Sequence, residues 1–188
     1  MQKQFFFGYG SLVNRRTHTY PDAKPALLKG WRRTWVQTRL RPEAFLSVRP
    51  APGHEIAGLI ASVPDQDWRA LDEREIGYDR HPVTDHVHHD MLPAPHVQVY
   101  AIADRHKAEI DGGPILRSYL DVVVQGFLHH YGDAGAAAFF DTTDGWDRGV
   151  LDDRTAPQYP RHQRLSTSES ALIDRHLEKL QVKIALPK

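Results

Sequence analysis

The chain has 188 residues, of which 40% are hydrophobic and 26% charged, and its 24 Lys and Arg residues equal its 24 Asp and Glu residues. This length predicts a single domain over 1–188, and the balanced charge argues against nucleic acid or an anionic membrane as a partner. The absence of cysteine excludes disulfides, thiolate metal sites and cysteine nucleophiles. The start lacks a secretory signal pattern and no stretch approaches about 20 apolar residues, so we expect a cytoplasmic protein.

Strands are predicted for most of the first half of the chain. Apolar and aromatic runs bounded by glycine or proline indicate strands, at residues 4–7, 26–39, 45–48, 56–63, 78–89 and 97–103. Gly30 predicts a bend in the second strand, and residues 50–53 predict a loop between the third and the fourth. After Pro64, apolar residues one helical turn apart predict a short helix that is capped by Asp65 and ends near residues 75–77.

Helices are predicted for the second half. Apolar residues at helical spacing from Ile115 to Phe127 indicate one amphipathic helix, and Ser166 with Glu169 forms a capping box that begins another. Residues 141–164 have no clear period and predict a loop or tail that wraps the core. Because the predicted strands come first along the chain and the predicted helices follow, the sequence favours an α+β fold with a mainly antiparallel sheet or small barrel.

The most informative short stretch is residues 7–12, Phe-Gly-Tyr-Gly-Ser-Leu. Two glycines permit unusual backbone dihedrals and close approach of a ligand to the main chain. The N–H groups of Gly10, Ser11 and Leu12 could then converge on a carboxylate or a developing oxyanion. We name residues 8–12 the glycine turn. The alternative is a plain tight turn after an edge strand.

Better-known glycine motifs do not fit this stretch. A dinucleotide fingerprint needs glycine at position 13, which is Val13, and the Gly-Lys-Ser/Thr of a P-loop is absent. A nucleophile elbow around Ser11 needs glycine at positions 9 and 13, where Tyr9 and Val13 stand. Ser11 is therefore a poor candidate for a covalent nucleophile.

A second candidate is a carboxylate in residues 71–80, Leu-Asp-Glu-Arg-Glu-Ile-Gly-Tyr-Asp-Arg. Most of these charged residues fit a solvated surface. Glu75 differs because it lies where the helix should end and Gly77 permits a sharp turn into the next strand. A carboxylate there could face a cleft, and partial burial would raise its pKa toward a value useful for proton transfer.

The chain resembles the γ-glutamylcyclotransferase-like superfamily, which has the AIG2-like fold, and in particular its ChaC-type and bacterial members. The resemblance lies in residues 7–12 and in residues 71–75 with Tyr78. The resemblance extends to Tyr131, about two thirds of the chain. It implies a small, mainly antiparallel β-barrel flanked by helices, with Glu75 as general acid/base and no cofactor. Glu73 is the neighbouring alternative for that role. ChaC-like sequences typically have glycine directly after the glutamate, whereas Ile76 follows here.

The resemblance implies a γ-glutamylcyclotransferase, as in glutathione metabolism. The α-amine of a γ-glutamyl compound attacks its own γ-carbonyl and yields 5-oxoproline and a free amine or amino acid. No enzyme nucleophile is needed, and favourable intramolecular geometry can contribute about 7 to 11 kcal/mol. The substrate-binding candidates are Gly8, Tyr9, Gly10, Ser11, Leu12, Arg33, Tyr78 and Tyr119. A surface arginine and a core tyrosine are the alternative interpretations of Arg33 and Tyr119.

Two other functions remain open at this point. The same fold could bind a γ-glutamyl-like small molecule without catalysis. Alternatively, His86 and His88 would share one face of a strand and could, with a carboxylate, hold a metal ion for hydrolysis. Histidines on an exposed strand are more often polar surface, so the predicted site contains no metal. The sequence specifies neither the leaving group nor the oligomeric state.

Overall fold

The computed structural model describes residues 3–110 and 112–187. Within them, the strands are β1 (Gln4–Gly8), β2 (Lys24–Val36), β3 (Phe45–Ser62), β4 (Tyr78–Pro82), β5 (Val87–His88), β6 (His96–Ile102), β7 (Ile115–Leu116), β8 (Thr143–Asp144), β9 (Val150–Leu151) and β10 (Ile184–Ala185). The helices are α1 (Arg69–Arg74), α2 (Arg117–Asp141) and α3 (Thr167–Lys179). In the described part of the chain, no helix is both long enough and apolar enough to cross a membrane.

The main sheet is a curled half-barrel with strand order β4-β6-β1-β3-β2-β5, and β8 pairs with β2. β1 lies inside the sheet, antiparallel to β3 and parallel to β6. β7, β9 and β10 form a small separate parallel sheet. The α+β class with a mainly antiparallel sheet is confirmed.

The aromatic run of β1 is buried on both faces of the sheet. Phe5 and Phe7 pack in the large core that includes α2, whereas Phe6 points to the opposite side and packs with Leu71 of α1. Successive side chains of a strand alternate between faces, so a run of three buried aromatics requires cover on both. The residues after β1 therefore emerge between two packed layers.

Helix α2 fixes the chain that follows the glycine turn. The Asn14 side chain donates to the Val122 carbonyl at 2.9 Å and to Gln125 Oε1 at 3.0 Å. This close approach requires glycine at 126, because a Cβ there would lie 2.7 Å from the Asn14 nitrogen. The predicted helix is present as α2, from Arg117 to Asp141. Its predicted amphipathic character is wrong, because residues 120–127 are buried on every face, and Ile115 and Leu116 form β7.

One long strand, β3, replaces the two strands predicted at 45–48 and 56–63. The register of β2 and β3 passes directly from the pair Trp31–Pro50 to the pair Lys29–Glu55. Proline lacks an N–H for the ladder, and Gly53 has φ of 83°. The proline-rich segment therefore forms a bulge opposite the bend at Gly30, and the strand resumes beyond it.

The strand predicted over 78–89 is two strands, β4 and β5, separated by a 3₁₀ turn at Thr84–His86. Pro82 ends β4, as a residue without an N–H does at a strand end. His86 lies in the turn and His88 in β5, so the two histidines do not alternate along one strand. Among residues 3–110 and 112–187, no group of three or more His, Cys, Asp or Glu is arranged to hold a metal ion.

Helix α1 ends as predicted but begins differently. Asp65 lies in a separate 3₁₀ turn with φ of 53°, so its predicted role as the cap is wrong. Asp67 Oδ1 instead accepts from the Arg69 N–H at 3.0 Å. The helix ends at Arg74 with Glu75 at its C-cap, and Gly77, with φ of 95°, reverses the chain into β4.

The C-terminal helix α3 confirms its predicted start. The Glu169 N–H donates to Ser166 Oγ at 3.2 Å, and the Ser166 N–H donates to Glu169 Oε2 at 2.6 Å. These reciprocal bonds satisfy two N–H groups that a helix start otherwise leaves without partners.

Candidate active site

The glycine turn needs its glycines because other atoms approach them closely. A Cβ at Gly8 would lie 2.7 Å from Leu12 Cβ, and a Cβ at Gly10 would lie 2.7 Å from the Tyr119 hydroxyl. Either distance is too short for a side-chain carbon. The turn therefore folds tightly on itself and places its main chain directly against Tyr119 of α2.

A buried arginine holds the peptide between Tyr9 and Gly10. Arg33 is 1% exposed, and its Nε donates to the Tyr9 carbonyl at 3.1 Å. In a trans peptide the C=O and the following N–H point in opposite directions. The bond therefore aims the Gly10 N–H away from Arg33. Arg33, predicted as a substrate contact, lies behind the turn and not among the residues that line the cavity.

The N–H groups of the turn are available to a ligand. Among the described residues, the N–H groups of Gly10 and Leu12 have no hydrogen-bond acceptor. The Ser11 N–H faces the Tyr119 hydroxyl, and this contact lowers the pKa of Tyr119, although burial raises it by more. N–H groups that converge without acceptors suit an anionic or carbonyl oxygen.

Glu75 is joined to the glycine turn through its neighbour Arg74. Arg74 Nε lies 3.2 Å from Glu75 Oε1, and Arg74 Nη2 donates to Ser11 Oγ at 3.2 Å. The Glu75 side chain is only 16% exposed. Burial raises the pKa of Glu75, and the positive charges of Arg74 and Arg161 oppose that rise without cancelling it. Glu73, the alternative from the sequence, is exposed and does not line the cavity.

Glu75 should give the protein a specific pH dependence of stability. Its pKa is raised in the folded state from an ordinary value of 4.5. Between the unfolded and folded pKa values the folded state binds more protons, so the free energy of unfolding falls as pH rises through that window. Glu75→Gln should remove this part of the fall and gain stability relative to the wild type as pH rises.

Urea unfolding at a series of pH values spanning the window would measure this difference. Glu73→Gln, at an exposed position on the same helix, is the matched control and should follow the wild type. A constant difference between Glu75→Gln and the wild type at every pH would contradict the burial of an ionisable carboxyl at this position.

Glu75 and the glycine turn share one small cavity of about 20 Å³. We name it the inner cavity. It is lined by Phe7, Gly8, Tyr9, Gly10, Ser11, Leu12, Leu46, Glu75, Tyr78, Tyr100 and Tyr119. The structure thus brings together every site residue predicted from the sequence except Arg33.

Tyrosines form much of the wall of the inner cavity; Tyr9 and Tyr100 are buried, and Tyr78 and Tyr119 are partly buried. The Tyr9 hydroxyl donates to the Tyr100 carbonyl at 2.7 Å, and the Tyr78 hydroxyl donates to the Leu46 carbonyl at 2.8 Å. Burial raises the pKa of Tyr9, Tyr78 and Tyr119. The raised pKa values favour the neutral hydroxyls, and Glu75 is the carboxyl group among the wall residues.

The inner cavity adjoins a wider cleft of about 340 Å³, with which it shares Ser11, Glu75, Tyr78 and Tyr119. We name it the outer cleft. Its further walls include Arg41, Arg74, Tyr159 and Arg161. Sequence reasoning missed Arg74, Tyr159 and Arg161. The position of Arg74 beside Glu75 was a usable signal, whereas nothing local marked Tyr159 or Arg161.

Comparison with known families shows to which family the chain belongs. Residues 6–118, more than half of the 188-residue chain, match the family model described as gamma-glutamyl cyclotransferase, AIG2-like. The chain belongs to this family. The matched range contains the glycine turn, Glu75 and Tyr78, and ends one residue before Tyr119. In this member of the family, Tyr119, Tyr159 and Arg161 thus come from beyond the matched residues.

Solved structures share the fold of this γ-glutamyl cyclotransferase family member at low sequence identity. One described as gamma-glutamyl cyclotransferase is 14% identical with a TM-score of 0.57, covering 93% of this chain and 99% of that one. The human uncharacterized protein loc79017 is 15% identical with a TM-score of 0.55 and the same coverage, 93% and 99%. YkqA from Bacillus subtilis is 15% identical with a TM-score of 0.56, covering 98% of this chain and 57% of that one. Among curated proteins, none matches the sequence.

Proposed function

We propose that this protein is an active γ-glutamylcyclotransferase that converts a γ-glutamyl amine or amino acid into 5-oxoproline and the free amine. The observation that carries the proposal is the inner cavity, which is lined by both Glu75 and the glycine turn, whose Gly10 and Leu12 N–H groups have no acceptor among the described residues. Positioning and proton transfer are the two contributions that this intramolecular reaction needs.

The glycine turn binds the γ-glutamyl group in this proposal. The N–H groups of Gly10 and Leu12 hold an anionic oxygen, either the substrate carboxylate or the oxyanion of the tetrahedral intermediate. Tyr78 and Tyr119 confine the bent substrate so that its α-amine reaches its own γ-carbonyl. A bent conformer held in this way makes ring closure effectively unimolecular, which is where most of the rate enhancement arises.

Glu75 moves the protons. Its carboxylate accepts a proton from the α-ammonium, and the amine attacks the γ-carbonyl carbon to form the C–N bond of the five-membered ring. The nitrogen then loses a second proton to become the lactam nitrogen, while the bond to the leaving nitrogen breaks. The leaving nitrogen receives both protons and departs as an ammonium ion, so Glu75 ends the cycle as a carboxylate. A raised pKa suits a group that must both accept and return a proton.

The direct test is 5-oxoproline release from a panel of γ-glutamyl compounds: glutathione, several γ-glutamyl amino acids and a γ-glutamyl-ε-lysine. We expect release from at least one member. N-acetylation of the α-amine of that substrate should abolish release, because the nucleophile is then blocked. Failure of the folded protein to release 5-oxoproline from every member would overturn the proposal in favour of a non-catalytic binding protein.

A further inference from the structure

A second, more apolar pocket of about 90 Å³ opens beside the inner cavity and shares Leu46, Tyr78 and Tyr119 with it. We name it the side pocket. Its walls also include Phe45 of β3, Leu116 of β7 and Tyr159, and the Arg41 side chain lies among them. An apolar pocket next to a reacting centre favours burial of an apolar substituent there.

Two arginines with unpaired side chains stand at the mouth of the outer cleft. Arg41 and Arg161 both line the cleft, and both are exposed. Within residues 3–110 and 112–187, neither guanidinium group has a hydrogen-bond or ion-pair partner. Arg74, in contrast, is bonded to Ser11, Thr17 and Glu75. The two free guanidinium groups can therefore bind a carboxylate without breaking an existing ion pair.

Tyr159 and Arg161 belong to a segment that hydrogen bonds hold against the start of α2. Asp153 is fully buried and accepts from the Ser118 N–H at 2.7 Å, from Ser118 Oγ at 2.5 Å and from the Gln158 N–H at 2.8 Å. The Tyr159 N–H donates to Ser118 Oγ at 3.1 Å. The Tyr159 ring meets Tyr119 edge to face at 5.0 Å. Asp153 thus fixes this segment to the start of α2, next to the proposed substrate site.

We propose that Tyr159 and Arg161 form a subsite for the leaving group, and that this subsite selects an α-amino acid with an apolar side chain and a free carboxylate. The inference rests on the proposed function. With the γ-glutamyl group in the glycine turn, the leaving nitrogen faces the outer cleft. Its carboxylate then meets Arg161 and Arg41, and its side chain enters the side pocket against Tyr159.

One acidic residue offers the competing possibility. Glu43 also lines the side pocket, where it could pair with a cationic side chain. The apolar walls and the two arginines of the cleft favour an apolar amino acid over a basic one, because a lysine substituent would meet positive charge on entry. A lysine-containing substrate is therefore one arm of the test.

The test compares γ-glutamyl-leucine with γ-glutamyl-3-methylbutylamide, which is the same molecule without the leucine carboxylate. Wild type should prefer γ-glutamyl-leucine by about tenfold in kcat/KM, as charge-assisted contacts of its carboxylate with two exposed arginines allow. Arg161→Gln should reduce this preference to about threefold through KM, because Arg41 still contacts the carboxylate. Any change in kcat from the lost positive charge near Glu75 should be equal for the two substrates. Arg175→Gln, at an exposed position on α3, is the matched control and should keep the preference.

The apolar side pocket is tested separately. Tyr159→Ala should reduce the preference for leucine over glycine as leaving group.

The outcomes separate this inference from the proposed function. Equal turnover of the two substrates by wild type, or an Arg161→Gln variant that keeps the preference, would overturn the subsite and leave the cyclotransferase intact. Faster turnover of γ-glutamyl-ε-lysine than of γ-glutamyl-leucine would overturn the apolar selection. No 5-oxoproline from any substrate would overturn the proposed function and the subsite with it.

Discussion

Glu75→Gln is expected to lower the rate of 5-oxoproline release by about 10²- to 10⁴-fold, the range that a general acid/base typically contributes. The amide has the shape of the carboxylate and its oxygen still accepts a hydrogen bond from Arg74, but it does not take up a proton from the α-ammonium. Substrate affinity should therefore stay close to that of the wild type. Steady-state kinetics give the rate, and calorimetric titration of the variant with a slowly turned-over substrate gives the dissociation constant.

Glu73→Gln is the matched control for this prediction. It makes the same chemical change two residues away, on a side chain that is exposed and outside the inner cavity. Its rate should equal that of the wild type. A Glu75→Gln variant that retains the wild-type rate would assign the proton transfers to another group, and a variant that loses binding instead would assign Glu75 a role in holding the substrate.

Features with a local physical cause could be predicted from the sequence. The capping box at Ser166 depends only on a residue three positions away, and the end of α1 near Glu75 depends on Gly77 and its positive φ. The glycine turn could be located from its two glycines, because other atoms approach Gly8 and Gly10 too closely for a larger residue at either position. The same kind of local signal gave a wrong prediction at residues 50–53, where prolines indicate a loop but the structure has a bulge within β3.

Features that depend on distant contacts could not be predicted. Tyr159 reaches the site because the segment that carries it bonds to Ser118, 41 positions earlier. Arg33 was predicted as a substrate contact, with a surface arginine as the alternative, whereas the structure buries it behind the glycine turn. Arg32 does pair with Asp144 near the surface, whereas the Arg33 side chain turns inward between β1 and α2. The alternation along β2 places Arg33 on the same face as Trp35, but no local signal shows that this face buries a charged side chain.

Arg33 should be more important to stability than any exposed charged residue of this protein. Its guanidinium group donates to the Tyr9 carbonyl, to the Ala57 carbonyl and to Thr142 Oγ1, and it lies 4.8 Å from the centre of the Phe127 ring. Among the described residues no carboxylate pairs with it, so three neutral oxygens and two aromatic rings compensate the buried charge. Burial accordingly lowers the pKa of Arg33 to about 9.

Arg33→Met should lower the free energy of unfolding by about 3 kcal/mol or more, because each buried acceptor left unpaired costs about 1 to 3 kcal/mol. Below its unfolding temperature the variant should also bind substrate more weakly, since nothing then holds the Tyr9 carbonyl and aims the Gly10 N–H. Urea unfolding measures the first effect. KM and kcat measured on the folded variant separate the second effect from a general loss of structure, because a displaced binding turn raises KM.

Arg32→Gln is the control that isolates burial, since it removes an arginine from the adjacent position. Its partly exposed ion pair with Asp144 predicts a loss of about 1 kcal/mol or less. The Arg32 side chain also has no contact with the glycine turn, so KM should not change. If both variants lost the same stability, the buried bonds of Arg33 would be no stronger than a surface pair. If Arg33→Met kept the wild-type KM, the position of the Gly10 N–H would not depend on Arg33, and the tight contacts of Gly8 with Leu12 would suffice to shape the turn.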